Sequence, residues 1–191
     1  MTNRQQEIRV NHSAALSAET GVRLRSYAWD DPTIAANAAA TMSGLEFLRS
    51  VAEGAVPPPP LMKTLDVRLE SVEAGTVVFG FTPAEYHYNP IGSVHGGVSS
   101  SLLDSAAGCA VHSRLPLGTA YTSIDLSVRF LAPIRVDTGP VQCTGTVRHL
   151  GSRVALAEAA LTSRSGKLLA TATSSCLLFA VPGNRERAER G

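Results

Sequence analysis

The sequence predicts an α+β chain in which an antiparallel sheet of about five to six strands wraps around one central helix. Three observations predict it. A single run of small and apolar residues with helical spacing, Val98 to Val111, stands among strand-like segments. Two alternating segments precede it and four follow. The last of these are joined by connections too short for parallel crossovers, which favours antiparallel pairing. One helix with an apolar side must then be buried against the sheet.

Taken in order, residues 1–40 are polar and weakly periodic. Ala35 to Ala40 have helical composition but nothing to pin them, so this part reads as a flexible or loosely docked extension. Thr41 or Ser43 can cap a short helix before the first strand, with Leu45, Leu48 and Val51 at helical spacing and Gly54 closing it. Pro57 to Pro60 form an extended spacer. From Leu61 the pattern becomes strand-like: Leu65, Val67 and Leu69 alternate, Glu73 to Gly75 turn, and Val77, Phe79 and Phe81 alternate again, a hairpin. The central helix runs to about Ser113. Tyr121 to Leu131 alternates next, with Ile124, Leu126, Val128 and Phe130 on one face and Ser123, Asp125, Ser127 and Arg129 on the other. Val141 to Val147 makes a further strand. Val154 to Thr162 and Leu168 to Phe179 form a hairpin across Ser163 to Gly166. Residues 41–180 therefore form one domain, and 181–191 a polar tail.

With 191 residues the chain can bury one sizeable core. A net charge of +1 makes no electrostatic case for nucleic acid or an anionic membrane as partner, and few aromatics weaken base stacking. The N-terminus has no apolar core of signal-peptide length, and no stretch approaches the roughly 20 apolar residues of a membrane span. Cys109, Cys143 and Cys176 form no CxxC pair and no metal pattern with histidine, so they are expected as buried or semi-buried thiols in a reducing, cytoplasmic setting, with no metal and no cofactor.

The chemistry concentrates at Asn89-Pro-Ile-Gly-Ser-Val-His95-Gly96-Gly97, a turn-rich loop that opens directly into the central helix. Glycines let backbone approach a ligand closely. The first helical turn has N–H groups without internal partners and a dipole that favours negative charge, a natural place for the oxygen of a carbonyl under attack. Asp104 is the one acid of the helix, on a strip of small residues with Gly97, Ser101 and Gly108. Gly96 and Asp104 are eight residues apart, so the helix rise separates them by roughly 12 Å. Reacting atoms must approach to about 3–3.5 Å. A second copy of the helix, antiparallel alongside, would bring Gly96 of one protomer to Asp104 of the other. An obligate homodimer, or a dimer of dimers, is therefore expected.

These residues resemble the hotdog-fold thioesterases, in particular the phenylacetate-degradation (PaaI-like) branch of the 4-hydroxybenzoyl-CoA thioesterase superfamily. The string from Asn89 through His-Gly-Gly and Asp104 to Ala110 carries the resemblance, extended by Tyr121 to Pro133; similarity covers about residues 43–180. The resemblance implies a helix wrapped by a sheet, dimerisation into one continuous sheet, and hydrolysis of an acyl-CoA thioester. It implies that the Gly96 N–H holds the thioester oxygen. Asp104 of the partner acts as general base or nucleophile, Asn89 helps place water or substrate, and His95 supports the loop or polarises the carbonyl. A hydroxyl near the start of the next strand assists the acid: alignment favours Ser123, while strand alternation puts Thr122 on the inward face, and both stay open.

Other residues carry plainer readings. Asn89 before a proline is commonly a turn former, and His95 a loop hydrogen-bonder. His87, His112 and His149 lack ligand spacing. Asp125 reads as an outward salt-bridge partner. Arg148 and Arg153 flank a turn and could meet the phosphates of coenzyme A, or form a solvated basic turn. A rival function keeps the fold but makes it a non-catalytic acyl-CoA sensor, against which a carboxylate near the thioester speaks.

Overall fold

The structure is a computed structural model that describes residues 21–181. The expected C-terminal tail from residue 182 and the first twenty residues of the expected extension lie outside the described residues.

Among the described residues three short helices precede the sheet, where the sequence reading expects one. Helix α1 (Pro32–Ala39) starts at Asp31, whose side chain accepts from the Thr33 N–H at 2.9 Å. Proline at its first position supplies the helical φ, and Ala35 is buried. Helix α2 (Gly44–Ala52) starts at Ser43 in a capping box: the Ser43 hydroxyl accepts from the Glu46 N–H, and the Glu46 carboxylate accepts from the Ser43 N–H at 2.9 Å. Its buried face is Phe47, Leu48 and Val51. Helix α3 (Pro60–Leu65) corrects the strand expected from Leu61 onward. Pro60 starts a helical turn, and Asp66 ends it at φ 54, the left-handed region that stops a helix. The Arg25 guanidinium donates to the carbonyls of Thr64 (2.6 Å) and Lys63 (2.9 Å), satisfying the open end of α3.

Strands β1 (Val67–Glu73) and β2 (Thr76–Phe81) form the expected hairpin, turning at Gly75 with φ 89. After the central helix α4 (Gly96–His112) come β3 (Thr119–Phe130), β4 (Val141–Leu150), β5 (Val154–Ser163) and β6 (Leu168–Ala180). All pairings are antiparallel, in the order β1-β2-β4-β5-β6-β3. The sheet wraps α4, which packs mainly on β4 and also on β2, β3, β5 and β6. This is the hotdog fold.

Leu102, Leu103, Ala106, Ala107, Ala110 and Val111 bury one side of α4. Their small size lets the sheet come close. At Gly145 on β4 an added Cβ would collide with the Ala106 carbonyl, so strand and helix backbones touch there. The strand order leaves β3 at one edge of the sheet, a 12-residue strand that ends beside the exposed Leu131, with Ile124 and Phe130 also exposed. A long edge carrying apolar side chains is a template for another strand.

Gly145→Ala is expected to lower stability by about 1–3 kcal/mol, because helix and strand must separate to admit one methyl. Urea denaturation measures it; an unchanged midpoint would refute the close approach.

Candidate active site

The loop before α4 is built by its own side chains. The Asn89 Oδ1 accepts from the N–H groups of Ile91 (3.1 Å) and Ser93 (3.2 Å), and its Nδ2 donates to the Ser93 hydroxyl at 3.1 Å. Asn89 is thus committed to shaping the turn. The loop is tied down by Val94 N–H donating to the Ile134 carbonyl and His95 N–H donating to the His87 carbonyl, each 2.8 Å.

His95 caps α4. Its Nδ1 accepts from the Gly97 N–H at 2.8 Å, so the neutral ring carries its proton on Nε2. This bond distinguishes the two glycines. The Gly97 N–H is taken, whereas the Gly96 N–H has no acceptor among the described residues. A Cβ at Gly96 would lie 3.1 Å from the Phe130 ring, a tight contact from which the ring would have to shift slightly. Gly96 lines a cavity of about 330 Å³, together with Ser99 of the same helix, Phe130, Pro133, Ile134 and Leu169.

Asp104 lies half-buried further along α4. The Ser123 hydroxyl donates to its Oδ1 at 2.8 Å. Thr122 is exposed. The alternation expected for this strand therefore needs correction. Ser123 pairs with Cys176 and Asp125 with Ser175, so Ile124 is an extra residue in a β-bulge. The bulge resets the alternation. Tyr121 and Ser123 face α4 along with Leu126 and Val128, whereas Ile124 (56% exposed) leaves the apolar face to which the sequence reading assigned it.

Asp104 does not line the cavity at Gly96. Its neighbours are Tyr121, Cys109 and Cys176. Burial pushes the Cys109 thiol up to about 12, raises Cys176, and raises the Tyr121 phenol well above its ordinary value. Protonated thiols are poor nucleophiles, so neither cysteine is set up to react. The arrangement has two half-sites at different points of one helix: a free backbone donor above a cavity, and a hydroxyl-braced carboxylate.

The remaining expected residues lie elsewhere. Arg148 is paired with Glu158 (Nη2 to Oε2, 2.7 Å) on the outer face of the sheet, in a cleft with Arg129 and Thr146. Arg153 is exposed at the β4–β5 turn, where its carbonyl accepts from the Leu178 N–H. Neither reaches the Gly96 cavity. Asp125 forms no ion pair among the described residues; its carboxylate accepts from the Ser175 N–H at 3.0 Å. Among the described residues no group of three or more His, Cys, Asp and Glu side chains is placed to hold a metal ion. Sequence reasoning missed Phe130 as a wall of the cavity, because the bulge that re-aims the strand has no composition signal. It also missed Ser99, whose only sign is its place one helical turn beyond Gly96.

A family model described as the thioesterase superfamily matches residues 91–170. A 1,4-dihydroxy-2-naphthoyl-CoA hydrolase of Listeria monocytogenes is 28% identical over 109 residues, covering 57% of this chain and 87% of that protein. A protein named as an esterase in Saccharolobus solfataricus is 31% identical over 117 residues, covering 60% of this chain and 80% of its own length. One so named in Halobacterium salinarum is 42% identical over 69 residues, so this chain spans only 44% of that relative. Among solved structures, a thioesterase-type, phenylacetic acid degradation-related protein of Ralstonia eutropha superposes with TM-score 0.62 at 27% identity, covering 68% of this chain and 98% of that one.

His87, whose carbonyl anchors the loop, is itself buried. Its Nδ1 accepts from the Ala84 N–H (3.0 Å) and its Nε2 donates to the Leu65 carbonyl (3.0 Å), bonds that need a neutral ring. Burial holds its pKa below the ordinary 6.5. The unfolded chain therefore binds the proton more readily. The stability this group contributes is full above about pH 6.5 and is lost as pH falls from there through the lower folded-state value. His112, also lowered by burial, acts in the same direction. Melting temperatures are expected to fall below about pH 6.5, and less steeply in a His87→Asn variant; an equally steep fall in that variant would remove His87 from the account.

Proposed function

The chain belongs to the thioesterase superfamily, whose chemistry is thioester hydrolysis, and we propose that it cleaves an acyl-CoA into free acid and coenzyme A in sites shared by two copies of the chain. The observation that carries this reading is the Gly96 N–H, left without an acceptor at the head of a 17-residue helix and open to a cavity. An N–H in that position, aligned with the helix dipole, stabilises the negative charge that develops on a thioester oxygen. Such a donor contributes about 3 kcal/mol, roughly a hundredfold in rate. The names of the relatives that act on CoA thioesters support this substrate class.

Asp104 of the partner subunit supplies the second half. It takes a proton from the attacking water, or attacks the carbonyl carbon to give an anhydride that water opens; in either route coenzyme A leaves as its thiol. The Ser123 hydroxyl on the Asp104 Oδ1 orients the carboxylate. A second copy is required because the rise of the helix keeps Gly96 and Asp104 of one chain roughly 12 Å apart. Two α4 helices side by side and antiparallel would place each Gly96 against the other chain's Asp104, while two β3 edges continue the sheet across the pair; two such pairs could associate further as a dimer of dimers. Three free thiols suit a reducing cytoplasm. A sensor that binds acyl-CoA without cleaving it would have no use for the braced carboxylate.

Thiol release across a panel of aromatic and aliphatic acyl-CoAs tests the reading. Asp104→Asn is expected to lower kcat at least about a hundredfold, and Ser123→Ala about tenfold, with Thr122→Ala near wild type. Saturable binding with no thiol release from any substrate would sink the hydrolase assignment in favour of the sensor. In a co-expressed pairing of a Gly96→Val chain with an Asp104→Ala chain, one working site per dimer is expected. Failure of every pairing to recover activity would refute shared sites.

A further inference from the structure

Ser99 is 4% exposed, yet its hydroxyl makes no hydrogen bond to any described residue, unlike Ser101, whose hydroxyl donates to the Gly97 carbonyl at 2.9 Å. No fully sealed side-chain polar atom lacks a partner in this protein's described residues, so the Ser99 hydroxyl must reach open space. The cavity it lines with Gly96 is that space. A buried hydroxyl without a protein partner is costly unless something else bonds it.

The position defines what that partner can be. Ser99 follows Gly96 by three residues, about one helical turn or ~4.5 Å along the axis. The walls beside it are apolar, including Leu131, Pro133, Ile134 and Leu169. They suit an acyl group and not the charged nucleotide of coenzyme A. With a thioester oxygen on the Gly96 N–H, an acyl chain running along the cavity that both residues line would bring an oxygen two carbons along toward the Ser99 hydroxyl. We propose that Ser99 is a specificity-determining residue that hydrogen-bonds an oxygen on the acyl β-carbon, selecting 3-hydroxyacyl- or 3-oxoacyl-CoA over the unsubstituted thioester. This rests on the reading of the Gly96 cavity as the thioester site.

The test compares wild type with Ser99→Ala and Ser99→Thr on butyryl-CoA, 3-hydroxybutyryl-CoA and acetoacetyl-CoA. Thiol release gives kcat/KM, and calorimetry in the Asp104→Asn background gives affinity. Ser99→Ala is expected to lose about tenfold in kcat/KM on the two oxygenated substrates and nothing on butyryl-CoA. Its melting temperature should be unchanged or higher, since no hydrogen bond within the protein is lost. Ser99→Thr, which keeps the hydroxyl, should retain the preference. Equal losses on all three substrates would mean that the hydroxyl reads a part common to them, such as the pantetheine arm, and would overturn the proposal; so would no loss on any. If wild type releases no thiol, the hydrolase reading fails separately. A preference for the oxygenated ligands in calorimetry that vanishes in Ser99→Ala would still uphold the role of Ser99, and equal or absent binding would overturn it.

Discussion

The first turn of α4 is held rigidly while one of its N–H groups stays unpaired, and the rest of the site depends on that combination. The Asn89 amide closes the turn, Val94 and His95 anchor it to Ile134 and His87, and His95 takes up the Gly97 N–H. What is left over is the Gly96 N–H. A free donor on a floppy loop would collapse onto a neighbour or onto water. Here it keeps its direction because every adjacent backbone group is already engaged.

Helix length imposes the next constraint. A 17-residue helix carries its head and its only acid too far apart to serve one carbonyl, while the sheet that wraps it ends in β3, a strand paired on one side only. In the proposed dimer both features would be resolved by the same event, the arrival of a second copy along β3, so that catalytic completeness and burial of the sheet edge would be one requirement. This accounts for a chain that spends its small residues on bringing helix and sheet close instead of building a larger core of its own.

The surroundings of the two half-sites differ in a way that suits separate roles. Around Asp104 the thiols and phenol are held protonated by burial, and a serine hydroxyl donates to its side chain. Around Gly96 the side chains of Phe130, Leu131, Pro133, Ile134 and Leu169 stand beside polar groups that include the Gly96 amide and the Ser99 hydroxyl. A few convergent polar groups in an apolar hollow is how small-ligand sites obtain orientation and selectivity together.

By itself, the sequence determined the order of the strands, the hairpin, the central helix and the Asn89, His95, Gly96 and Asp104 positions, since each is written in local periodicity, turn chemistry or helix spacing. The separation of Gly96 from Asp104 along the helix was also legible, because helix rise per residue is a constant. Only the tertiary structure decided which hydroxyl meets Asp104. That depended on a bulge at Ile124, set by how β3 pairs with β6 and not by the composition of β3. It also decided that Leu61 to Leu65 coil into a helix, where Arg25 from a distant segment satisfies the terminal carbonyls. Likewise it placed Arg148 on the outer face beside Glu158 and left the hydroxyl of Ser99 without a partner among the described residues. Strand register and the partnering of buried groups are properties of chain segments far apart in sequence, and no local pattern encodes them.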